Sequence, residues 1–374
     1  MDVYYFNDNC NDKEGKKMKV LFVVSNMKIG GGAENSVSII VKELRKRNHD
    51  VELLTFYDFD KEYEVKHQSF GEKYSNSMVI KLFYLFVKFP FKLRSFLKKN
   101  KFDLVISNAE DANLVCLIAK KTKLWVVIRN NNLVMFNKAY RTISLHLHKR
   151  ADKIITVSKG LSDVYSEIGF KNICIYNPLD IKSIEESMKE KLDFDWEESF
   201  FDEEEVLISI GRLSDQKNYF YLLDCFKEVI KEKPHLKLAI FGEGDLRPEL
   251  EKYAKDILNK NVIFMGIRKN IFKYLCKAKL FLLASKYEGF PRCLLESLVC
   301  GVPAVANNCP YGVSEILGDS KYGMLTNNKK EFVDAINKLL DNKEVYDEYK
   351  IKAKQRSKDF DIKNIVKGWE KCLK

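Results

Sequence analysis

Two acidic residues, Glu288 and Glu296, stand at either end of a segment that combines a tight turn with the start of a helix. The segment follows an apolar run, and its turn contains Gly289, Phe290 and Pro291. Proline fits the first position of a helix, where its missing N–H costs nothing. We therefore expect the amides of Gly289 and Phe290 to face a ligand at the positive end of that helix.

Glu296 is flanked by leucines and a valine, so a helix would carry it on an apolar face. Burying a polar group without a partner costs roughly 2–7 kcal/mol, and a carboxylate there needs hydrogen-bond donors. Sugar hydroxyls are suitable donors. A salt bridge to a buried lysine or arginine is the alternative.

Two cations, Arg212 and Lys217, follow another apolar run, five positions apart across a turn. Arginine offers a planar fork of donors and lysine a point charge, and together they suit a diphosphate. A solvated basic loop is the alternative.

The first apolar run ends in the glycines Gly30, Gly31 and Gly32, and a helical pattern begins at once. Glycines let the backbone approach a ligand closely, and free amides at a helix N-terminus attract anions. A plain strand–helix turn is the alternative, because the spacing is not that of a dinucleotide-binding loop.

Short apolar runs alternate with helical patterns along the whole chain, which is typical of parallel strands covered by helices on both faces. The predicted strands are 19–24, 51–56, 103–107, 125–128, 153–157, 173–176, 206–210, 236–241, 262–265, 280–284 and 304–306. The pattern occurs twice, so the sequence predicts an α/β protein of two doubly wound domains.

The domain boundary is predicted at Asn177-Pro178, which gives a first domain of 1–178 and a second of 179–374. A polar stretch, 182–205, follows the boundary. The last helical pattern, 361–374, could pack on either domain. Open α/β sheets bind ligands at the carboxyl ends of their strands, so we expect a cleft between the domains.

Composition excludes several classes of protein. The chain has 374 residues, 46% hydrophobic and 31% charged, with a net charge of +11, which fits a folded enzyme better than a disordered tail. No apolar run is long enough to predict a membrane span, and the polar N-terminus is unlike a secretory signal. Nine scattered cysteines indicate reduced thiols and a cytoplasmic location.

No pattern predicts a metal or another cofactor. Asp-x-Asp pairs occur at Asp58/Asp60, Asp193/Asp195 and Asp359/Asp361, all in polar or linker stretches, and we expect them to be solvated. His146 and His148 have no further ligand at zinc spacing and are expected to be surface or packing residues.

The seven residues between Glu288 and Glu296 match the E-x7-E signature of retaining glycosyltransferases with the GT-B fold. From about Met18 to Leu340 the chain resembles glycosyltransferase family 4. The supporting motifs are Gly31 to Glu34, Tyr176 to Pro178, Gly211 to Leu213, Gln216 to Asn218, Gly242 to Gly244, Gly266, and Gly301 to Pro303. Residues 308–315 resemble members that build lipid-linked or capsular glycans, including N-acetylhexosamine transferases.

This resemblance implies transfer of a hexose or N-acetylhexosamine from a nucleotide-diphosphate sugar, UDP-linked rather than GDP-linked, to a lipid-linked or cell-surface glycan with retention of configuration. Arg212 and Lys217 would neutralise the leaving diphosphate. Glu288 would contact the transferred sugar and Glu296 the ribose. The remaining donor contacts implied are Gly31, Gly32, Arg268, Gly289 and Phe290.

Many relatives carry a histidine where this chain has Arg129-Asn130 after the strand 125–128. Arg129 and Asn130 are therefore candidate contacts for the sugar, a phosphate or the acceptor. Glu110 and Asp111 follow another predicted strand and are candidate acceptor contacts, with a simple helix N-terminal charge as the alternative.

The stretch 81–101 is both basic and aromatic. Apolar patches edged by lysine are typical of membrane-surface helices, and each basic residue contributes about 1 kcal/mol at an anionic leaflet. The alternative is an aromatic face packed on the first sheet with lysines outside. No nucleic-acid-binding motif accompanies the charge, so we predict no nucleic-acid partner.

The sequence thus predicts a cytoplasmic glycosyltransferase, peripheral at the inner face of the cell membrane. Two alternatives remain: a sugar-nucleotide epimerase of the same architecture, which would need no acceptor, and a non-enzymatic basic membrane-binding scaffold.

Overall fold

The computed structural model describes residues 4–5, 18–28, 30–58, 63–130, 138–203 and 205–373. The chain forms two compact units, Met1–Pro178 together with Ile362–Lys374, and Leu179–Asp361. The last helix thus belongs to the first unit. Most of the polar segment 1–17, and Asp60 of the first Asp-x-Asp pair, lie outside the described residues.

The sheet of the first unit has its strands in the order β1-β8-β7-β6-β5-β2-β3-β4, all parallel except the edge strand β1. The strands are β1 (Tyr4–Tyr5), β2 (Lys19–Val24), β3 (Asp50–Tyr57), β4 (Gln68–Glu72), β5 (Leu104–Asn108), β6 (Lys123–Ile128), β7 (Lys153–Thr156) and β8 (Asn172–Ile175). The strand order reverses between β2 and β5, a position where α/β sheets bind ligands.

Helices cover this sheet, and one core cluster joins the sheet to the buried side chains of residues 84–99 and 110–119. The helices are α1 (Gly32–Lys46), α2 (Met78–Phe83), a π-helical turn (Tyr84–Lys88), α3 (Phe89–Lys99), α4 (Glu110–Ala119), α5 (Lys138–His148) and α6 (Lys159–Glu167).

The C-terminal helix, Ile362–Leu373, packs against α1 and the sheet of the first unit. Its apolar face buries Ile365 and Trp369, and the Trp369 ring lies 5.8 Å from the ring of Phe22 on β2. On its polar edge, Glu370 accepts hydrogen bonds from Arg47 at 3.1 Å and His49 at 3.3 Å.

The sheet of the second unit is fully parallel, with the order β11-β10-β9-β12-β13-β14. Its strands are β9 (Val206–Ile210), β10 (Lys237–Phe241), β11 (Val262–Gly266), β12 (Leu280–Leu283), β13 (Ala304–Asn307) and β14 (Met324–Thr326). Its order reverses between β9 and β12.

The helices of the second unit are α7 (Ile181–Ser187), α8 (Asp195–Glu203), α9 (Tyr219–Glu232), α10 (Arg247–Leu258), α11 (Phe272–Leu275), α12 (Arg292–Cys300), α13 (Val313–Leu317), α14 (Lys329–Asp341) and α15 (Lys343–Ser357). The strands between them are almost wholly buried, as continuous apolar runs require.

The prediction of two doubly wound parallel sheets is confirmed. Three strands were not predicted: the antiparallel β1, the largely exposed β4 and the three-residue β14. No helix in the described part of the chain combines the length and hydropathy that crossing a membrane requires.

Candidate functional site

An ion pair between Lys217 and Glu288 lies at the point where the strand order of the second sheet reverses. Lys217 is supplied by the loop after β9 and Glu288 by the loop after β12. The Nζ atom of Lys217 donates to Oε1 of Glu288 at 2.6 Å, and their side chains are only 15% and 7% exposed. The sequence motifs from two distant loops therefore meet at the expected ligand-binding position of the sheet.

Neighbouring groups hold this pair in place. Ser285 donates its hydroxyl to the same oxygen, Oε1 of Glu288, at 2.7 Å. The side chain of Gln216 donates to the carbonyl of Tyr287 at 2.9 Å, and the Lys286 amide donates to the carbonyl of Gln216 at 2.8 Å. No donor among the described residues reaches Oε2 of Glu288, so that oxygen is available to a ligand.

The electrostatics of the site keep Lys217 charged. Burial alone would lower the pKa of Lys217, but the adjacent carboxylate of Glu288 outweighs it and raises that pKa above its ordinary value. Burial raises the pKa of Cys293, on the first turn of α12, to about 11, so the thiol next to the pair stays protonated at neutral pH. The site thus holds a fixed cation and a fixed anion side by side.

Three glycines allow the loops after β9 and β10, and those after β12 and β13, to pack closely around the site. A Cβ on Gly242 would lie 2.0 Å from the carbonyl oxygen of Gly211, and one on Gly244 would lie 2.2 Å from that of Leu213. A Cβ on Gly312 would lie 2.4 Å from the carbonyl oxygen of Gly289. Only glycine fits these positions, because any side chain would push the loops apart.

The turn before α12 is fixed by its backbone. The amide of Glu288 donates to the carbonyl of Pro310 at 2.7 Å, and the amide of Tyr311 returns a bond to Glu288 at 2.9 Å. Within the described residues the N–H of Gly289 has no acceptor, which leaves it for a ligand. Phe290 is buried and packs its ring against Phe360.

Glu296 lies on α12 and is buried, with the guanidinium of Arg292 at 3.0 Å. Burial raises the pKa of Glu296, and Arg292 partly offsets that rise. The structure thus shows the salt bridge that the sequence offered as an alternative to sugar hydroxyls. The predicted ribose contact of Glu296 stays a prediction.

The two remaining predicted cations of the second unit are not gathered at the pair. Arg212 is exposed, and its side chain forms no ion pair within the described residues. Arg268 instead has its guanidinium 2.9 Å from Glu197 and 3.6 Å from Asp193. These two carboxylates hold the Arg268 side chain in place. The predicted contact of Arg268 with the nucleotide base stays a prediction.

Sequence reasoning missed the network around Arg268. Glu197, on α8, is fully buried and also accepts from the hydroxyl of Tyr274 at 2.6 Å. Asp193, whose side chain is 41% exposed as expected of a surface carboxylate, pairs with Lys273 at 2.5 Å. One feature of the sequence could have indicated this network. The polar stretch 182–205 contains Phe194, Trp196 and the phenylalanines of α8, and so many aromatic side chains are unusual in a plain linker.

In the first unit, the predicted glycines lie between β2 and α1. Gly31 precedes α1 in an extended conformation and Gly32 is its first residue. Glu34 folds back toward the turn, since a Cβ on Gly31 would lie 2.0 Å from its carboxylate. The hydroxyl of Tyr63 contacts the carbonyl of Gly31 at 3.4 Å.

The other predicted residues of the first unit lie at the carboxyl ends of β5 and β6. Arg129 donates to the side-chain oxygens of Asn108 at 2.9 Å and Asn177 at 2.7 Å. Glu110 begins α4 and accepts from the hydroxyl of Ser144 at 2.7 Å. Asn130 is exposed. Asn108 and Asn177 are buried. Asn177 was predicted as part of a family motif, but neither asparagine was predicted as a partner of Arg129.

Each unit also has a sharp backbone turn close to its predicted site residues. Ala109, immediately before α4, has a φ of 69°, and Asn218, immediately after Lys217, has a φ of 55°. Non-glycine residues in this region cost free energy and concentrate at functional sites. Among the described residues, no group of three or more His, Cys, Asp and Glu side chains is arranged to hold a metal ion.

Comparison with known proteins agrees with this architecture. A family model described as "Glycosyl transferases group 1" matches residues 190–356, and one described as "Glycosyltransferase Family 4" matches residues 30–183. Anabaena HepE, solved in complex with UDP and glucose, has a TM-score of 0.79 at 22% identity, covering 95% of this chain and 99% of that chain. The fold is the GT-B fold of glycosyltransferases.

Two curated relatives come from Campylobacter jejuni subsp. jejuni serotype O:2. The "GalNAc-alpha-(1->4)-GalNAc-alpha-(1->3)-diNAcBac-PP-undecaprenol alpha-1,4-N-acetyl-D-galactosaminyltransferase" is 30% identical over 95% of this chain and 98% of its own length. The "N-acetylgalactosamine-N,N'-diacetylbacillosaminyl-diphospho-undecaprenol 4-alpha-N-acetylgalactosaminyltransferase" is 29% identical over 92% of this chain and 96% of its own length. The chain belongs to glycosyltransferase family 4, and it is a glycosyltransferase.

Proposed function

We propose that this chain is a retaining glycosyltransferase that moves a hexose or N-acetylhexosamine from a UDP-sugar to a lipid-linked or cell-surface glycan. The observation that carries the proposal is the buried Lys217–Glu288 pair at the reversal point of the second sheet. A cation held there by a carboxylate is organised before any substrate binds, which is how electrostatic stabilisation of a leaving group works.

In this proposal Lys217 and Arg212 stabilise negative charge on the diphosphate as the glycosyl–phosphate bond breaks. The Gly289 amide adds a donor at the same edge. Glu288 contacts the transferred sugar through Oε2, because Oε1 already accepts from Lys217 and Ser285. Glu296 contacts the ribose, and the backbone around Arg268 contacts the base. We assign no protein nucleophile.

The substrates are proposed from the relatives. UDP is favoured over GDP because HepE was solved with UDP. A lipid-diphosphate acceptor is favoured because both Campylobacter relatives are named for acceptors linked through a diphosphate to undecaprenol. The acceptor would meet the edge of the first sheet that carries Glu110, Arg129 and Asn130. No metal or other cofactor is required, and the enzyme works on the cytoplasmic side of a membrane.

The test begins with a thermal-shift panel of UDP- and GDP-sugars, each with and without EDTA. The sugar that stabilises the protein is then assayed for transfer to a polyprenyl-diphosphate-linked glycan, and the anomeric configuration of the product is read by NMR. We expect a UDP-sugar to bind and react equally well in EDTA, with the donor configuration kept.

Glu288→Gln keeps the shape of the side chain, and we expect it to abolish transfer while the protein stays folded. Ile351→Ser, an exposed position on α15, is the matched control and should transfer normally. Full transfer by Glu288→Gln would contradict the proposed site. Conversion of the UDP-sugar to its epimer without an acceptor would contradict the proposed reaction.

A further inference from the structure

An exposed apolar surface lies on the helical segment between β4 and β5. Its members are large apolar side chains, and five are more than half exposed: Met78, Val79, Phe83, Val87 and Phe91, at 68%, 76%, 52%, 54% and 74%. The other members are Ile80, Leu82 and Phe86. We call these eight residues the apolar tip. A contiguous patch of this kind marks an interaction site.

The same segment also has an inner face, so the apolar tip is not a misplaced core. Leu85, Phe89 and Leu93 recur every fourth residue and are buried against the sheet, where the Phe89 ring stacks on Phe56 at 4.6 Å. The sequence offered a membrane helix and a packed helix as alternatives. The structure shows the packed face, and leaves the apolar tip on the opposite side.

Some lysines of the segment are paired inside the protein and others are exposed. Lys88 and Lys92 both pair with Glu72 on β4, at 2.7 and 2.5 Å, so their charge is used inside the protein. Lys98 and Lys99, at the end of α3, are exposed and form no ion pair within the described residues. The helix therefore carries its apolar side chains at the start and its free charge at the end.

This charge asymmetry selects one kind of partner. Between residues 73 and 102 the chain has lysine and arginine but no aspartate or glutamate. Arg94, also on α3, donates to the carbonyl of Ile118 at 2.7 Å, three residues before the exposed Lys121. Phe91 and Lys98 are roughly 10 Å apart along the helix axis at 1.5 Å per residue. Amphipathic helices bury their apolar face about 5–10 Å into the boundary between headgroups and acyl chains, so a helix inclined to the membrane can bury Phe91 while Lys98 stays among the headgroups.

The apolar tip lies close to the candidate acceptor residues of the first unit. Lys81, on α2, has its Nζ 3.5 Å from the carboxylate of Asp111, on the first turn of α4. Asp111 adjoins Glu110, so the start of the helix lies at the same edge of the first sheet as the candidate acceptor residues. The end of the helix lies at the opposite edge, where Thr122 donates to the carbonyl of Phe102 at 3.2 Å.

We propose that the apolar tip inserts into an anionic membrane with α2 deepest, while Lys98 and Lys99 contact lipid phosphates. Insertion stands on the exposed side chains and the charge pattern alone. Its purpose, which is to bring a membrane-bound acceptor to the edge that carries Glu110, rests on the proposed function.

Vesicle sedimentation tests the insertion. Phosphatidylcholine vesicles containing phosphatidylglycerol should pull down the wild-type chain. Phe83→Ser/Phe91→Ser should weaken that binding by at least about tenfold, at low and high salt alike, since each phenylalanine loses apolar burial. Lys98→Glu/Lys99→Glu should weaken it at low salt, with a difference that shrinks as salt rises. Ile351→Ser, the exposed control in the second unit, should bind as wild type.

Three results would overturn the proposal. The first is vesicle binding that Lys98→Glu/Lys99→Glu removes and Phe83→Ser/Phe91→Ser leaves intact, which means surface electrostatics without insertion. The second is a dimer that Phe83→Ser/Phe91→Ser makes monomeric, with no vesicle binding, which means that a second copy covers the tip. The third is a wild-type chain that neither binds vesicles nor self-associates, which would leave the tip to a protein partner.

Tryptophan depth measurements test the orientation. Trp125 and Trp369 are buried and Trp196 is exposed, so Trp196→Phe gives a background without exposed tryptophan. In that background Val79→Trp should be quenched more by brominated acyl chains than Ser95→Trp. Equal or reversed quenching would overturn insertion with α2 deepest.

The two proposals can fail separately. UDP-sugar binding by Phe83→Ser/Phe91→Ser should equal that of wild type, because neither phenylalanine is a proposed donor contact. A chain that inserts but transfers no sugar would refute the proposed function alone. A chain that transfers sugar to a detergent-solubilised acceptor but ignores vesicles would refute the insertion alone.

Discussion

The two units bury different kinds of polar group. In the described residues of the second unit, six charged residues are buried: Glu197, Lys273, Glu288, Arg292, Glu296 and Arg356. In those of the first unit, the buried polar residues are serines, threonines, asparagines and one histidine. Its charges lie partly or fully exposed, on a surface with many lysines. The second unit fixes charge before substrate arrives, and the first keeps charge where solvent or a lipid surface can reach it.

This difference has a physical reason. A buried ion survives only when a partner and further hydrogen bonds replace its water, so each one in the second unit is part of a specified network. Glu288 accepts from Lys217 and Ser285, and Arg356 donates to the carbonyl oxygens of Glu315 and Ile316. Fixed charges of this kind suit a ligand with a defined diphosphate. An exposed basic surface suits a partner without fixed geometry.

The largest expected effect comes from breaking the Lys217–Glu288 pair. Lys217→Met should lower the transfer rate by about 10²–10³-fold and also lower the free energy of unfolding by about 3–5 kcal/mol, because Glu288 is left buried without its cation. Urea unfolding and steady-state kinetics measure the two effects.

Arg212→Met is the matched control, because it removes a neighbouring cation that is exposed. It should also slow transfer, yet change the free energy of unfolding by less than about 0.5 kcal/mol. Adding Glu288→Gln to Lys217→Met should recover stability by removing the unpaired charge. Equal destabilisation by Lys217→Met and Arg212→Met would show that burial of the pair contributes nothing.

The polar residues of the second unit were the more predictable from sequence, and spacing explains why. Glu288 and Lys217 belong to short motifs that follow strands, and Glu296 lies on the helix after one of them, so a linear pattern determines their place. The Glu197 and Asp193 network joins α8 to a loop some seventy residues later, and no local pattern encodes such a pairing. The contacts of Arg129 with Asn108 and Asn177 were missed for the same reason.

The fold was predicted where strands are continuous apolar runs and missed where they are not. Strands β2 and β9 were predicted with the bounds that the structure shows, since burial on both faces demands unbroken apolar sequence. The edge strand β4 reads Gln-Ser-Phe-Gly-Glu and is largely exposed, so it lacks that signal. Strand β14 has three residues and pairs only because β13 offers a free edge.

A smaller effect is expected in the first unit, where His148 is buried as a neutral side chain. Burial lowers the pKa of His148 to about 4. Neither ring nitrogen has a hydrogen-bond partner in the described residues, and the ring packs against those of Tyr165 and Phe170. The cavity beside it, about 390 Å³, is lined by charged residues that include Lys149, Asp152 and Lys153.

The sign of the pH dependence follows from these values. The pKa is lower in the folded chain than the ordinary 6.5, so acid protonates the unfolded chain first. The contribution of neutral His148 to the free energy of unfolding is complete above about pH 6.5 and is lost as pH falls toward 4. Wild type should lose about 2 kcal/mol more than His148→Phe between pH 7 and pH 5 in urea unfolding.

His146→Phe provides the control for His148, since it lies on the same helix but is exposed. It should keep the pH dependence of wild type. If His148→Phe keeps that dependence as well, the histidine is not the group that titrates, and exposed carboxylates would have to explain the acid response.

The smallest expected effect concerns the ion pairs that join the C-terminal helix to α1. Glu370 accepts from Arg47 and His49, but all three side chains are between 24% and 32% exposed. Exposed pairs contribute about 0–1 kcal/mol and are screened by salt, so Glu370→Gln should lower the free energy of unfolding by less than about 1 kcal/mol. The loss should vanish in high salt. A loss of several kcal/mol that persists in high salt would mean that the first unit, like the second, depends on fixed charge. A small loss that disappears in high salt would mean that the buried apolar face around Trp369 holds the helix in place.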